Sequence, residues 1–389
     1  MNQTFVEFLF QATNSEKTRN FANYSLKPLQ TTLEKFGLPW KTHRPFCISV
    51  VGTNGKGSIS HFLEEIFRTH SQPNLKTGLY TSPHLLSPWE RIQTNRENIP
   101  EEELESVMTT FQDFTENLGN LSFFELMTLA SFVWFENQKV DVAIFEAGLG
   151  GRLDATKLAK SDVVVLGKIG MDHKEILGDS LEKILTEKLE IATDSTQLLF
   201  SFPQEHKSLD DQIETFCRKK NIRHFFFAKP FEGDYLSFNQ EYCYSIAKHL
   251  QTEVSLFQNR LQIPNSPQKL SKIPGRLELL RPEPILLFDT AHNPDAVEYL
   301  LKSLKNLYPN LIWRVFWSTL GDKDTLEILN VHKRATNVST SVYMTKQGFA
   351  NAPIGSKQME FALGREEIFK SSEPILVHGS FRIYSELKK

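Results

Sequence analysis

The residues best suited to chemistry begin at Cys47, where Cys47-Ile-Ser-Val-Val-Gly-Thr-Asn-Gly-Lys-Gly-Ser58 sets a glycine-rich turn with one lysine between an apolar run and a segment of helical period. Glycines let successive backbone N–H groups converge on an anion, a helix N-terminus favours negative charge, and Lys56 adds a point charge. Gly52, Thr53, Asn54, Gly55, Lys56, Gly57 and Ser58 are therefore candidates for cradling phosphates, with a plain glycine turn as the alternative. The spacing departs from the usual phosphate loop: its first glycine falls at Val50, and Gly57 separates Lys56 from Ser58. Glu146 ends the apolar run 140–145, where a buried strand delivers a carboxylate to the C-terminal edge of a sheet; a helix-capping acid is the other reading. Asp289-Thr-Ala-His-Asn-Pro294 closes one strand pattern and opens a helix. Asn293 and Pro294 read as N-cap and first helical residue, which leaves Asp289 and His292 unexplained by structure alone.

The elements that must position these groups follow from periodicity. Short apolar runs predict strands at 46–51, 76–80, 140–146, 162–166, 197–202, 224–228, 285–289, 311–317 and 375–378. Helical spacing links Ile59, Phe62, Leu63, Ile66 and Phe67, and again Val297, Leu300, Leu301 and Leu304; the segment 123–135 is apolar almost all round and predicts a buried helix. Strand and helix in alternation predict an α/β protein with largely parallel sheets. The stretch 263–274 holds three prolines and no apolar period, so the chain is expected to form a domain over 1–265, a linker over 266–275 and a second domain over 276–389.

Composition excludes several classes. Of 389 residues, 40% are hydrophobic and 23% charged, as in a soluble globular protein. A formal charge of −3 from 44 basic and 47 acidic residues predicts no nucleic-acid partner. The three cysteines, Cys47, Cys217 and Cys243, lack metal-ligand spacing and predict a reducing compartment. The N-terminus has no basic region before its apolar residues, and no run is long enough to span a bilayer; the expectation is a cytoplasmic protein with no membrane partner.

The turn Gly52-Thr-Asn-Gly-Lys-Gly-Ser58 resembles the folate branch of the Mur ligase superfamily, the dihydrofolate synthase/folylpolyglutamate synthase family, and further matches follow in order. They are Tyr80-Thr-Ser-Pro-His-Leu85, Glu90-Arg-Ile92, Phe124-Glu125, Glu146-Ala-Gly-Leu-Gly-Gly-Arg-Leu-Asp-Ala-Thr156, Ile169-Gly-Met-Asp-His173, Leu177-Gly178, Glu187-Lys188, Pro274-Gly-Arg276, Phe288-Asp-Thr-Ala-His-Asn-Pro294, Asp322-Lys-Asp324 and Gly379-Ser380. Cell-wall members of the superfamily carry another domain before this turn, whereas only about 50 residues precede Gly52 here.

The resemblance implies a P-loop parallel-sheet N-terminal ATPase domain and a smaller Rossmann-like α/β C-terminal domain. It implies an ATP-dependent ligase that forms an acyl phosphate and joins it to L-glutamate, acting as a monomer. Magnesium ligands would be Ser58, Ser82, Glu146 and His173, one or two ions being held. Lys188, by itself no more than a solvated helical charge, matches the family lysine that CO₂ carbamylates, a reaction that needs a neutral amine. Lys56, Glu146, His173 and Lys188 are the expected catalytic groups. Asp289 and His292 would meet the ribose and γ-phosphate of ATP, with Arg276 beside them, and closure of the second domain would complete the site. Ser82, Pro83, His84, Phe124 and Glu125 are the expected pterin-side contacts.

Three departures from the family stand out. Tyr242 occupies the place of an adenine-side Asn and is expected to stack on the base. Gly167-Lys168 replaces small hydroxyl residues, and Thr193-Asp194-Ser195 replaces a Lys-Pro-Gly turn. Asp322 and Lys323 read equally as a polar turn. The acid substrate is dihydropteroate, a reduced folate, or both. The other readings are a Mur-type ligase for a non-folate acid and a nucleotide-binding relative without catalysis.

Overall fold

The computed structural model describes residues 4–13, 25–111, 113–229, 233–321 and 323–388. The chain forms two compact units. The first comprises Met1–Ile169, Leu181–Lys229 and Tyr242–Lys269; the second comprises Gly170–Ser180, Pro230–Glu241 and Leu270–Lys389. The contiguous division expected from the proline-rich stretch therefore misses two short excursions into the second unit. Hydrogen bonds carry them: Met171 N–H donates to Asp295 Oδ2 at 3.0 Å, and Tyr235 N–H to Ser303 Oγ at 3.1 Å. Such polar ties leave no mark on hydrophobic periodicity.

The first unit is built on β1 (Phe46–Val51), β2 (Thr77–Tyr80), β3 (Ile92–Thr94), β4 (Glu97–Asn98), β5 (Val142–Glu146), β6 (Val163–Leu166), β7 (Leu198–Ser201) and β8 (Arg223–Phe226). They lie in the order β4-β3-β2-β5-β1-β6-β7-β8, parallel except for β3 and its two neighbours. Strands β5 and β6 are buried along their whole length and β1 beyond its first residue, which is why they read as unbroken apolar runs. The helix Phe123–Asn137 is buried on nearly every side and starts at a capping box between Ser122 and Glu125. Its Phe132 and Phe135 meet Phe145 of β5 with ring centroids 5.5 and 5.7 Å away.

The second unit holds β9 (Glu278–Pro282), β10 (Ile285–Asp289), β11 (Trp313–Trp317), β12 (Val338–Thr345), β13 (Lys357–Glu360) and β14 (Ile375–His378), in the order β13-β12-β11-β14-β10-β9. All pairs are parallel except the β9–β10 hairpin. The helices Pro294–Leu307 and Thr325–Arg334 bury Val297, Leu300, Leu304 and Ile328 with Trp313, Val315 and Trp317. Asn293 caps the first of these helices and Pro294 opens it, as their sequence places them.

Every predicted strand is present, with ends displaced by up to two residues. The unforeseen ones are β3, β4, β9, β12 and β13. Strand β12 (Val-Ser-Thr-Ser-Val-Tyr-Met-Thr) is half-exposed and hydroxyl-rich, so its first half carries no apolar signal.

Two histidines lie inside the second core, His332 on its helix and His378 at the end of β14. Burial pushes the His378 pKa down to about 4, and burial with the neighbouring His378 holds His332 well below its ordinary value. A histidine with a depressed folded pKa stabilises the fold above its unfolded value of 6.5 and loses that contribution as pH falls toward the folded value. Stability is expected to drop by roughly 2 kcal/mol from pH 7 to pH 5 through His378 alone. Urea unfolding followed by tryptophan fluorescence measures this; a flat profile across that window would contradict neutral burial.

Candidate active site

The phosphate-type turn grows from the end of β1. Gly52 has φ +149°, and a Cβ there would stand 3.0 Å from Gly167 Cα, so two glycines let the turn and the continuation of β6 approach each other. The N–H groups of Thr53 and Asn54 donate to the Lys168 carbonyl at 2.8 and 3.1 Å, and Lys168 N–H returns to Asn54 O at 3.2 Å. Gly167 thus has a backbone reason, since a Cβ there would stand 2.7 Å from Asn54 O, while the bonds at Lys168 are main-chain ones that do not explain its side chain. Gly55, left-handed at φ +87°, opens the helix Lys56–Thr69. Lys56 Nζ donates to the carbonyls of Gly52 at 3.1 Å and Thr53 at 3.3 Å, which holds the ammonium over the turn. Gly57 and Ser58 are buried in the first helical turn, with Ser58 Oγ donating to Gly55 O. A cation above a glycine turn at a helix N-terminus attracts phosphate.

Glu146 stands at the same sheet edge. It is the last residue of β5, it is buried, and it pairs in register with Val50 of β1. Its Oε2 accepts from the backbone N–H of Ser82 at 3.3 Å. The loop carrying Ser82, Pro83 and His84 is pinned by Glu90, whose carboxylate accepts from the N–H groups of Leu85, Leu86 and Ser87. Arg91 is buried, donates from Nε to His84 Nδ1 at 3.0 Å and lies over the Phe123 ring. Phe124 covers Gly148, where a Cβ would come within 2.7 Å of its ring, and lies 5.9 Å from Tyr80.

Glu125 departs from expectation. Its carboxylate caps its own helix by accepting from Ser122 N–H and Oγ, while its other oxygen has no donor among the described residues. Burial raises its pKa against those hydrogen bonds. Lys188 also departs from the solvated charge its helical setting suggests: it is 4% exposed. The glycine-rich loop before Arg152 rests on it, since a Cβ on Gly151 would lie 2.4 Å from the Lys188 carbonyl. Arg152 fastens the same contact, pairing with Glu187 at 2.9 Å. Asp154 closes that loop, accepting from Leu149 N–H and from the N–H and hydroxyl of Thr156.

Tyr242 requires a correction. It is fully buried in the first unit, its ring lies against Phe202 and Phe227, and its hydroxyl donates to Leu166 O. No ring face is left for a base to stack on. A tyrosine in an apolar helix face packs inward because its ring gains more from burial than its single hydroxyl loses once that is bonded.

The second unit gathers a charged cluster around Asp172, a residue the sequence reading passed over. Lys323 Nζ lies 2.6 Å from Asp172 and 3.4 Å from His173 Nε2; Asn293 Nδ2 donates to Asp172 at 3.2 Å, and His292 Nε2 stands 3.6 Å away. Burial lifts the Asp172 pKa, but the His292 contact and the Lys323 charge outweigh it and hold the carboxyl well below its usual range. Burial and then Lys323 lower the pKa of His292. Lys323 is therefore part of an ion cluster, not a solvated turn, while Asp322 lies outside the described residues. Asp289 is buried and fully engaged: Oδ2 accepts from Tyr235 hydroxyl at 2.5 Å and Leu277 N–H at 2.8 Å, and Oδ1 from Ala291 N–H at 2.8 Å. Arg276 donates to the Thr290 hydroxyl.

Among the described residues, no group of three or more His, Cys, Asp and Glu is positioned to hold a metal ion. The first unit nonetheless offers a carboxylate at Glu146 with the hydroxyls of Ser58 and Ser82, oxygen donors of the kind a hard divalent cation takes. His173 belongs to the second unit. No helix among the described residues is long and apolar enough to cross a membrane.

Residues 50–242 match the Mur ligase middle domain. The chain is 30% identical to the dihydrofolate synthase/folylpolyglutamate synthase of Buchnera aphidicola subsp. Acyrthosiphon pisum, over 93% of each chain. Among solved structures it is similar to the Escherichia coli FolC complex with ADP, with a TM-score of 0.79 at 24% identity over 99% of this chain and 96% of that one. It is also similar to the bifunctional folylpolyglutamate synthase/dihydrofolate synthase of Yersinia pestis complexed with AMPPNP and Mn, with a TM-score of 0.75 at 24% identity over 94% and 93%. At such identity the structural likeness is one of fold.

Lys323 and Asp172 are both nearly withdrawn from water, so removing the lysine takes the ammonium away from a buried carboxylate that then rests on Asn293 and the neighbouring histidines. Lys323→Ala is expected to cost about 3–5 kcal/mol in chemical denaturation. Combined with Asp172→Asn the loss should be clearly less than the sum; additive losses would mean that the pair does not couple.

Proposed function

The chain belongs to the dihydrofolate synthase/folylpolyglutamate synthase family, and from that premise we propose how its residues carry out ATP-dependent addition of L-glutamate to a folate-type carboxylate. The observation that carries the reading is the shared sheet edge, where Lys56 over its glycine turn follows β1 and Glu146 ends the adjacent β5. A polyphosphate beside a carboxylate needs a cation between them, and this edge supplies the anchoring groups for both.

ATP is the nucleotide and magnesium its divalent partner, a reading supported by relatives solved with ADP and with AMPPNP and Mn. Bound magnesium would neutralise phosphate charge and polarise the γ-phosphoryl group; in the first unit, Ser58, Ser82 and Glu146 are the residues proposed to hold it. Gly52, Thr53, Asn54, Gly55 and Gly57 shape the phosphate cradle, and Lys56 meets the charge that develops in phosphoryl transfer. Asp289 is proposed to meet the ribose of ATP, and Arg276 and His292 to donate to the nucleotide.

The acid substrate attacks the γ-phosphorus, giving an acyl phosphate and ADP. The amine of L-glutamate then attacks the acyl carbon, the new amide forms and phosphate leaves. Exclusion of water protects the acyl phosphate in between. Ser82, Pro83, His84 and Phe124 are proposed to border the pterin, with Glu125 acting through the cap that sets the start of its helix. Lys188 is proposed to be carbamylated; its burial against the Gly151 loop gives a carbamate a fixed place. Both dihydropteroate and reduced folate are accepted in this reading, in the cytoplasm, where the buried thiols of Cys47, Cys217 and Cys243 stay reduced.

ADP release by the purified protein with MgATP, L-glutamate and either dihydropteroate or tetrahydrofolate tests this. Release that needs glutamate and occurs with both acids is expected; release with neither acid would defeat the folate assignment. Lys56→Ala is expected to lower turnover about 10²-fold or more, and a near-normal rate would remove Lys56 from the phosphate site. Intact-mass measurement in bicarbonate should find one added carbamate that Lys188→Ala lacks.

A further inference from the structure

The core of the second unit carries an unbroken line of hydrogen bonds that the reaction as described leaves without a task. His378, fully buried at the end of β14, places Nδ1 3.0 Å from the carbonyl of Ala291 and Nε2 2.8 Å from Nε2 of His332. His332 places its Nδ1 2.9 Å from Ser341 Oγ, and that oxygen lies 2.8 Å from Trp317 Nε1. The Trp317 and His378 rings are stacked, with an interplanar angle of 12°.

The two ends dictate where the protons sit. A carbonyl only accepts and an indole N–H only donates. His378 must therefore carry its proton on Nδ1 and give it to Ala291. Its Nε2 then accepts from Nε2–H of His332, whose Nδ1 accepts from the Ser341 hydroxyl, whose oxygen accepts from Trp317. One neutral tautomer of each ring satisfies every atom, and no other neutral pair does.

The line ends at a consequential place. The Ala291 carbonyl belongs to the peptide that leads into His292, and the Ala291 N–H is already held by Asp289 Oδ1 at 2.8 Å. Both sides of Ala291 are thus fixed, one by Asp289 and the other by His378. His292 Nδ1 lies 2.8 Å from Thr290 O, and its Nε2 is left facing Asp172. Turning the 291–292 peptide would turn that imidazole away.

We propose that His378, kept in its tautomer by His332, is a positioning residue for the ligase reaction: its Nδ1–H holds the Ala291 carbonyl and thereby fixes the peptide that orients the His292 imidazole. This rests on the reading that His292 handles ATP. A purely packing role would be served by leucine, whereas a hydrogen-bonding role needs a donor at the Nδ1 position, which the amide nitrogen of asparagine supplies.

The test compares ADP-release kinetics of the wild type with those of His378→Leu, His378→Asn and His292→Ala. His378→Leu is expected to lower kcat/KM for MgATP by roughly 10- to 100-fold, with the KM values for acid and glutamate little changed, and His378→Asn to recover most of the loss. A folded leucine variant with wild-type kinetics, or an asparagine variant no better than leucine, overturns the proposal. If His292→Ala leaves the kinetics unchanged, the reading of His292 fails; if it is impaired while His378→Leu is not, only the positioning role fails. Imidazole ¹⁵N spectra of the wild type decide even where the leucine variant does not fold. Protonated Nδ1 on His378 and Nε2 on His332 are expected, and the opposite tautomer at either ring overturns the proposal.

Discussion

Parallel strands that end at one level force their loops together, and the first unit depends on that constraint. Strand β1 pairs with β5 on one side and β6 on the other, so the glycine turn, Glu146 and Gly167 leave the sheet at the same edge. The glycines are required because the turn and the β6 continuation meet backbone to backbone, with no room for a side chain between Gly52 and Gly167. Hydrogen bonds to Lys168 then lock the turn in place. A glycine turn with a lysine drawn over it and an acidic strand end follow from the topology.

The second unit solves a different problem, the holding of charges out of water. Asp172 is surrounded by donors from separate elements: Lys323 after β11, His292 and Asn293 after β10, and His173 beside it in the chain. A buried carboxylate keeps its charge only when such partners outweigh the loss of hydration. Asp289 is held in the same way by Tyr235, Leu277 and Ala291. These groups are preorganised by one another, so their orientation does not depend on flexible side chains finding a ligand.

Side chains that looked alike in sequence diverge in the structure because their surroundings do. Lys188 and Lys56 are both helical lysines; the first is buried beneath a glycine-rich loop, and the second is drawn back over its own turn. Glu125 and Glu146 are both carboxylates beside apolar runs. One is consumed mainly in capping a helix, the other ends a central strand. Tyr242, which sat at a position suited to adenine, is core. Each difference turns on which neighbour a distant segment brings up.

Sequence alone determined the alternation of strand and helix, the central apolar strands, the glycine turn, the Asn293–Pro294 helix start and the ordered motifs of the family. These are local patterns, written in periodicity, turn chemistry and spacing. Only the tertiary structure decided that Asp172 is the hub of a charged cluster, that 170–180 and 230–241 belong with the second unit, that Lys188 is buried, and that His332 and His378 form a line to Ala291. The reason is physical: these are polar contacts between residues far apart in the chain, made by side chains whose types are common on any surface, and their energy comes from the burial and pairing that folding itself creates.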